Sequence, residues 1–228
     1  MYTFDTSKFS TDDKIRNFPK FVRRQHTARF LARWEIFKRQ IEVKGSIIEC
    51  GVHQGGGLLG WGHYSAALEP YNYHREIIGF DTFEGFPSVH TKDGNSEQAK
   101  TGNFSEIVNI YDDINLSIEA FNNNRFLNNK EKFKVVKGDA CITIPQFIQD
   151  NPHTLVSLLY LDFDIYEPTA VALEHFLPRM PKGSIVAFDE LNNPVWPGET
   201  MALLENFELN KFKLESFPFE PEISFIQL

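Results

Sequence analysis

An α/β fold built on a mostly parallel sheet follows from three features of the sequence. Short apolar runs alternate with stretches of helical periodicity along most of the chain. Two of the runs, Val156 to Asp164 (VSLLYLDFD) and Ser184 to Glu190 (SIVAFDE), read as buried strands that close on carboxylates. A third run, Ser46 to Cys50, leads into a glycine-rich turn, Gly51 to Gly57, and then into a helix. Strand cores such as Leu158 to Leu161 and Ile185 to Phe188 are apolar on consecutive positions, as in a parallel sheet covered on both faces.

The composition fits one such domain. The chain has 228 residues, 42% hydrophobic and 14% aromatic, including 22 Phe, so a packed, Phe-rich core is expected and wholesale disorder is not. No apolar run approaches the roughly 20 residues that span a bilayer, and the first residues, MYTFDTSKFSTDDK, show no signal-peptide core. The expectation is a soluble, cytoplasmic protein. Cys50 and Cys141, the two cysteines, sit beside strand ends and read as reduced core thiols. The net charge of −8 is unevenly spread: residues 1–45 carry 11 Lys+Arg against 5 Asp+Glu, and the remainder 12 against 26. An acidic body argues against nucleic acid as a partner. The basic leader is read either as a solvated helix face or as a holder of an anionic substrate.

Residues 1–45 are read as an N-terminal helical arm or cap, and 46–228 as the main domain. From Lys20 to Ile41 a helix is expected, with Phe30, Trp34, Phe37 and Ile41 on one stripe and Arg23, Arg24, Arg29, Arg33, Lys38 and Arg39 elsewhere around it. It stops before Gly45. After the glycine turn comes a helix from about Leu58 to Glu69, then a second strand, Glu76 to Asp81. Residues 88–104 are polar and aperiodic, a candidate lid loop or a surface insertion. A helical pattern follows through Ile107, Tyr111, Ile114, Ile118 and Phe121. Phe133 to Val136 form a third strand, and Cys141 to Asp150 a helix. Glu167 and Pro168 open the helix after the fourth strand, with Pro in a favoured first-turn position. A helix from about Glu199 to Phe207 follows the fifth strand. Lys213 to Phe217 and Ser224 to Leu228 complete the chain as an antiparallel hairpin, giving a seven-stranded Rossmann-like sheet.

In such a sheet, ligands bind beyond the carboxyl ends of the strands. Asp162, Asp164, Asp189 and Glu190 would therefore crowd one edge of one site. They read either as loop aspartates capping helices or as a set that needs a cation between them. Hard oxygen ligands without a Cys or His pair favour Mg²⁺, Mn²⁺ or Ca²⁺ over zinc. On the opposite side, the turn E-x-G-x-x-x-G (Glu49, Gly51, Gly55) departs from the dinucleotide spacing at His53 and suits the first loop of S-adenosylmethionine (SAM) methyltransferases. Asp81, about 30 residues after Gly51, is placed to accept bonds from ribose hydroxyls, or alternatively to serve its own turn. Asp139 is placed to meet an adenine amino group.

In order along the chain, the motifs ECGVHQGGG, GFDTFEGFP, KGDA, LYLDFDIYEPT, SIVAFDE and WPGET resemble those of the macrocin O-methyltransferase (TylF/MycF) family. These are class I SAM-dependent methyltransferases that act on sugar hydroxyls of antibiotics and related glycosides. The resemblance runs from about Gly45 to the C-terminus. It implies SAM contacts by Glu49, Gly51, Gly55, Asp81, Thr82 and Asp139, and Mg²⁺ (or Mn²⁺) bound by Asp162, Asp189 and Glu190. It also implies a small-molecule sugar acceptor and a homo-oligomer, with neither nucleic acid nor membrane as partner.

The expected reaction is metal-dependent O-methylation. A sugar hydroxyl is almost wholly protonated at neutral pH, so the transfer needs a base; Asp162 is the first candidate, with Asp164 or a histidine behind it. Phe83, Phe86 and Trp196 are candidates to line the acceptor pocket. Three rivals remain open at this point. A catechol-type acceptor shares the vicinal hydroxyls. A nicotinamide-dependent sugar oxidoreductase accounts for Asp81 but not for the clustered acids, and the chain has no evident Tyr-x-x-x-Lys pair. A binding module would keep a SAM-like pocket without chemistry.

Overall fold

The computed structural model describes residues 3–105 and 109–228. The N-terminal arm contains a short helix, α1 (Thr11–Arg16), capped by the Ser10 side chain, which accepts from the Asp13 N–H. Next come α2 (Arg24–Gln40), β1 (Ser46–Cys50), α3 (Gly56–Leu68) and β2 (Ile77–Asp81). These are followed by α4 (Ile110–Asn122), β3 (Phe133–Lys137), α5 (Ala140–Asp150), β4 (Val156–Leu161) and α6 (Tyr166–Phe176). The chain closes with β5 (Ile185–Phe188), α7 (Pro197–Asn206), β6 (Leu214–Phe217) and β7 (Glu220–Gln227). The helical turn expected around Ile107 falls on 106–108, outside the described residues.

The seven strands form one sheet in the order β3-β2-β1-β4-β5-β7-β6. β1 lies third in that order, parallel to β2 and to β4, with Ile48 opposite Ile78 on one side and Leu159 on the other. β5 extends the parallel set, β7 of the terminal hairpin runs antiparallel to it with Ala187 facing Phe225, and β6 runs antiparallel to β7. The strand order reverses between the parallel neighbours β1 and β4: β2 and β3 are added outward from β1, and β5, β7 and β6 outward from β4. At that point the loops after β1 and β4 part and leave a crevice.

Successive side chains of the strands go to opposite faces. Ile48, Phe80, Leu159, Leu161 and Phe188 meet α5, α6 and α7, through Ile144, Phe147, Leu173, Phe176 and Leu203. Ile47, Leu158, Tyr160, Ile185 and Phe225 meet α2 and α3, through Ile36, Phe37, Leu58 and Trp61. Coverage of both faces is why the strands read as unbroken apolar runs. Phe80 packs edge-on against Phe147 at 5.4 Å between centroids, a contact worth roughly 0.5–1.5 kcal/mol beyond its burial. The Phe-rich interior is thus present at the sheet, whereas Phe9, Phe18, Phe30 and Phe126 are exposed.

α2 differs from expectation in its orientation. Its buried positions are Ala28, Ala32, Ile36, Phe37 and Gln40, while Phe30 is 47% exposed. The small Ala28 and Ala32 let the helix lie close to the sheet's end, and the neighbouring Arg29 and Arg33, one turn apart, reach over the carboxyl ends of the strands. The basic leader is therefore not only a solvated face.

Residues 88–104 are held against the body. Asp93 is buried and accepts from the backbone N–H groups of His90 (2.7 Å) and Tyr166 (2.6 Å). The Lys92 ammonium sits 3.9 Å from the Tyr166 ring centroid and pairs with Glu205. No helix among the described residues is long and apolar enough to cross a membrane.

Candidate active site

The crevice at the strand ends is a cavity of about 330 Å³, in the size range of small-molecule sites. Every parallel strand contributes to its wall. The turn after β1 brings Gly51 and His53, and the end of β2 brings Asp81, Thr82 and Phe83. β3 leads to Gly138, Asp139 and Ala140, β4 to Asp162, Phe163 and Asp164, and β5 to Asp189 and Glu190. Among the described residues, Arg29 from α2 is the one arginine on the wall. Of the residues expected to contact cofactor, Glu49 and Gly55 are not part of the cavity lining; the other four are.

The glycine turn owes much of its composition to the protein's own packing. Gly51 has φ +89°, and a Cβ there would lie 1.9 Å from the backbone oxygen of Asp162. The β1 and β4 ends can approach only because that atom is missing. Gly51→Ala should therefore cost roughly 2–4 kcal/mol and displace Asp162, which a urea midpoint shift would report; an unchanged midpoint would contradict the packing argument. Gly55, with φ +81°, stands against the Ile114 side chain of α4.

Asp81 holds this turn. Its Oδ2 accepts the Val52 and His53 N–H groups at 2.8 Å each, and Oδ1 accepts the Phe83 N–H at 2.7 Å. A carboxylate oxygen takes more than one bond, so capacity toward the cavity remains. Thr82 donates to the Gly85 carbonyl at 2.6 Å and so shapes the next turn. Asp139 caps α5, with Oδ1 accepting the Cys141 N–H at 2.9 Å. Asp81 thus fills the turn role weighed as its alternative and Asp139 fills a cap role, while both also face the cavity. Cys141 is only half-buried and lines the cavity, and both cysteines are free thiols.

Across the cavity, the acids meet two arginines. The Arg29 Nη2 donates to Asp189 Oδ2 and lies 3.5 Å from Asp162 Oδ2. The Arg33 Nη2 lies 3.5 Å from the same Asp162 oxygen and 3.9 Å from Glu49 Oε1. Its guanidinium is 4.8 Å from the Tyr160 ring centroid. The Tyr160 hydroxyl donates to Asp189 Oδ1. Negative charge still exceeds positive. Burial, then the neighbouring Asp189, hold the Asp162 carboxyl well above its ordinary range despite the two arginines. Burial, then Glu190 and Asp189, push Asp164 up to about 7. Burial raises Glu49 to about 7 against the pull of Arg33, and Glu49 Oε2 is buried with no partner among the described residues.

Glu199, in the WPGET segment, was not singled out by the sequence. It is fully buried at the start of α7. One of its oxygens accepts the Asp164 N–H at 3.3 Å and the other the Glu190 N–H at 3.2 Å. It thereby ties together the loops that carry the acids from β4 and β5. The available signal was an acid inside a helix's first turn, where a solvent-facing cap would have been equally consistent. Glu199→Ala would leave the half-buried N–H groups of Asp164 and Glu190 without this acceptor, at a cost of about 2–4 kcal/mol. Thermal unfolding checks this, and loss of less than about 1 kcal/mol would contradict it.

The donor set of Asp162, Asp189 and Glu190 has the oxygen chemistry that a hard cation takes, but its present arrangement does not fit one. The Arg29 guanidinium fills the position between Asp162 and Asp189, and Glu190 turns to accept from the Asn193 side chain at 2.5 Å. Among the described residues, no group of three His, Cys, Asp or Glu side chains is gathered to hold a metal ion. The cofactor side fits better: Asp81 and Asp139 line the cavity and keep acceptor capacity at the ends of adjacent strands.

An open sheet with an antiparallel terminal pair, and strand ends that enclose one acid-lined cavity, define a Rossmann-like methyltransferase. The chain belongs to the macrocin O-methyltransferase (TylF) family, whose model matches residues 25–211. It is an O-methyltransferase, and SAM is the cofactor of that class. Among solved structures, CalS11, described as a calicheamicin methyltransferase, is 34% identical with a TM-score of 0.94, the match covering 98% of this chain and 87% of that one. An apo structure of CalS11, described as a TDP-rhamnose 3'-O-methyltransferase in calicheamicin biosynthesis, is matched at 31% identity and a TM-score of 0.85, covering 98% and 88%. The O-methyltransferase NovP shares the fold, at 19% identity and a TM-score of 0.62, covering 88% and 79%. No curated protein sequence matches the chain.

Proposed function

We propose that this enzyme transfers the methyl group of SAM to a hydroxyl of a sugar, carried on a nucleotide or in a glycosylated natural product, in the cytoplasm. The observation that carries the reading is the division of one cavity into two walls. Asp81, Thr82, Gly138 and Asp139 line one, and Asp162, Asp164, Asp189 and Glu190 the other. Membership of the family and the likeness to CalS11 support the sugar as acceptor.

When bound, SAM supplies an electrophilic methyl. Asp81 would hold the ribose hydroxyls, Asp139 the adenine amino group, and Gly51 the close approach of the turn. Asp164 would take the acceptor's proton. It lines the cavity without an arginine ion pair, whereas Asp162 faces both Arg29 and Arg33. A base must meet the hydroxyl directly or through one water, and Asp164 is the freer of the two acids to do so. Asp162 and Asp189, with Tyr160, then orient the charged side of the site. Phe86, Phe104 and Trp196 form an aromatic group at the cavity wall, with Phe86 and Trp196 centroids 5.9 Å apart and Phe104 and Trp196 6.1 Å apart. Such rings suit the apolar faces of a deoxysugar, and equally a flat catechol.

Calorimetric titration with SAM, beside NAD, tests the cofactor. SAM binding without a response to NAD is expected; the reverse would return the oxidoreductase reading. With SAM bound, nucleotide sugars, glycosides and catechols are then compared as acceptors by mass spectrometry. Methylation of catechols alone would overturn the sugar assignment.

A further inference from the structure

Three segments that carry the acceptor half of the cavity meet at one carboxylate that is not part of its lining. Asp93, within residues 88–104, is 2% exposed. Its Oδ2 accepts the His90 N–H at 2.7 Å and closes the short turn Thr91–Asp93. Its Oδ1 accepts the Tyr166 N–H at 2.6 Å, at the first residue of α6. That N–H is one of the first-turn donors that a helix leaves unpaired, and the positive end of the helix favours a charge there. The start of α7 reaches the same oxygen. A Cβ at Gly198 would lie 2.3 Å from Asp93 Oδ1 and 2.5 Å from the Tyr166 nitrogen, so glycine is what allows the approach. Asp164 stands two residues before Tyr166, and Trp196 immediately before Pro197, where α7 begins. The loop itself is closed at its neck, where the Phe86 N–H donates to the Asn103 carbonyl at 3.1 Å and the Gly102 N–H to the Phe86 carbonyl at 2.8 Å. Phe86 and Phe104, at that neck, line the cavity.

We propose that Asp93 is a positioning residue for methyl transfer: it sets the placement of Asp164 against the aromatic group of Phe86, Phe104 and Trp196, and leaves the cofactor half of the cavity untouched. The inference rests on the methyltransferase reading above. Asp93 meets neither substrate nor cofactor and acts through the segments it joins. Glu199 fixes Asp164 relative to Glu190, whereas Asp93 fixes the same junction relative to the loop that carries the rings. The cofactor half has its own organiser in Asp81, which gathers the Val52, His53 and Phe83 N–H groups. Two carboxylates thus each hold one half of the site. A base must lie within hydrogen-bond reach of the hydroxyl, and a displacement of about 1 Å caused far from the chemistry can cost on the order of 10²-fold in rate. Rings that seat the acceptor and the acid that takes its proton must therefore be held in one frame, and Asp93 is where their segments are joined.

Two measurements test this. The first uses the wild type alone and needs no acceptor, so it stands even where a variant folds poorly. Amide hydrogen exchange, resolved by residue and corrected for intrinsic rates, should give His90 and Tyr166 protection factors within about tenfold of each other, because one carboxylate holds both and they open together. A larger difference in either direction would show that the loop and the start of α6 open separately, and would overturn the proposal. The second compares Asp93→Ala and Asp93→Asn in methyl transfer to the acceptor found by the screen above. Asp93→Ala should raise the acceptor KM and lower kcat/KM by about tenfold or more, with the SAM dissociation constant within about twofold of the wild type. Asp93→Asn keeps an oxygen for the Tyr166 N–H and should recover most of the loss. A parallel loss of SAM affinity, an unchanged acceptor KM, or an asparagine variant no better than the alanine variant would sink the assignment. Absence of SAM binding to the wild type would instead overturn the methyltransferase reading, and the exchange measurement would then decide by itself whether Asp93 joins the two segments.

Discussion

Arg75→Met should destabilise the protein by about 3–5 kcal/mol, more than any other single side-chain truncation away from the cavity. Arg75 precedes β2 and is 3% exposed. Its Nε donates to Glu69 Oε1 at 2.7 Å. Nη1 reaches Gln40 Oε1, the Gly45 carbonyl and Ser157 Oγ, at 2.8, 2.9 and 2.5 Å. Nη2 donates to the carbonyls of Ile41 (2.7 Å) and Val43 (3.1 Å). One planar cation thus satisfies three carbonyls of the segment that joins α2 to β1. Methionine fills much of the volume but leaves those acceptors, and the Glu69 carboxylate, without their buried donor. Arg75→Lys should recover less than half of the loss, because a single ammonium cannot reproduce the fork. Urea unfolding followed by circular dichroism decides the matter; a loss below about 1 kcal/mol for the methionine variant would show that water replaces the guanidinium. The effect also reaches the site, since this segment sets where α2 carries Arg29 and Arg33.

The fold was legible because its signals are local. Runs such as Ile47 to Cys50 and Leu158 to Leu161 are apolar at consecutive positions only when a strand is covered on both faces, and the glycines and acids at their ends mark the loops. Strand bounds accordingly agree to within a few residues, and the terminal hairpin lies where the alternation placed it. The inward face of α2 was not legible. Its apolar stripe through Phe30 and Trp34 is a genuine periodic pattern, but the helix serves two surfaces, the sheet through Ile36 and Phe37 and the strand ends through its arginines. An Ala-Arg pair repeated at four residues, Ala28-Arg29 and Ala32-Arg33, was the available clue. Small residues allow close approach, and charges beside them must be paired once the approach is made. The same limit applies to Glu199, whose two backbone partners are 35 and 9 residues away in sequence. A carboxylate that serves main-chain donors so far apart leaves no local pattern.

Asp164→Asn should lower kcat by about 10²–10⁴-fold and leave SAM affinity within a few fold. The backbone of Asp164 has φ +64°, a conformation that Asp and Asn tolerate better than most residues. Its N–H is anchored by Glu199, and neither feature depends on the carboxylate charge. Asparagine therefore keeps the loop and removes only the ability to accept a proton. Asp162→Asn makes the instructive comparison, because it releases Arg29 and Arg33 from a shared acceptor. That change should disturb the arginine network and lower stability as well as rate, whereas Asp164→Asn should lower rate alone. Single-turnover methyl transfer, beside calorimetric SAM binding and thermal unfolding for both variants, separates the two roles. Near-normal turnover in Asp164→Asn with loss confined to Asp162→Asn would move the base to Asp162 and leave Asp164 as a loop residue.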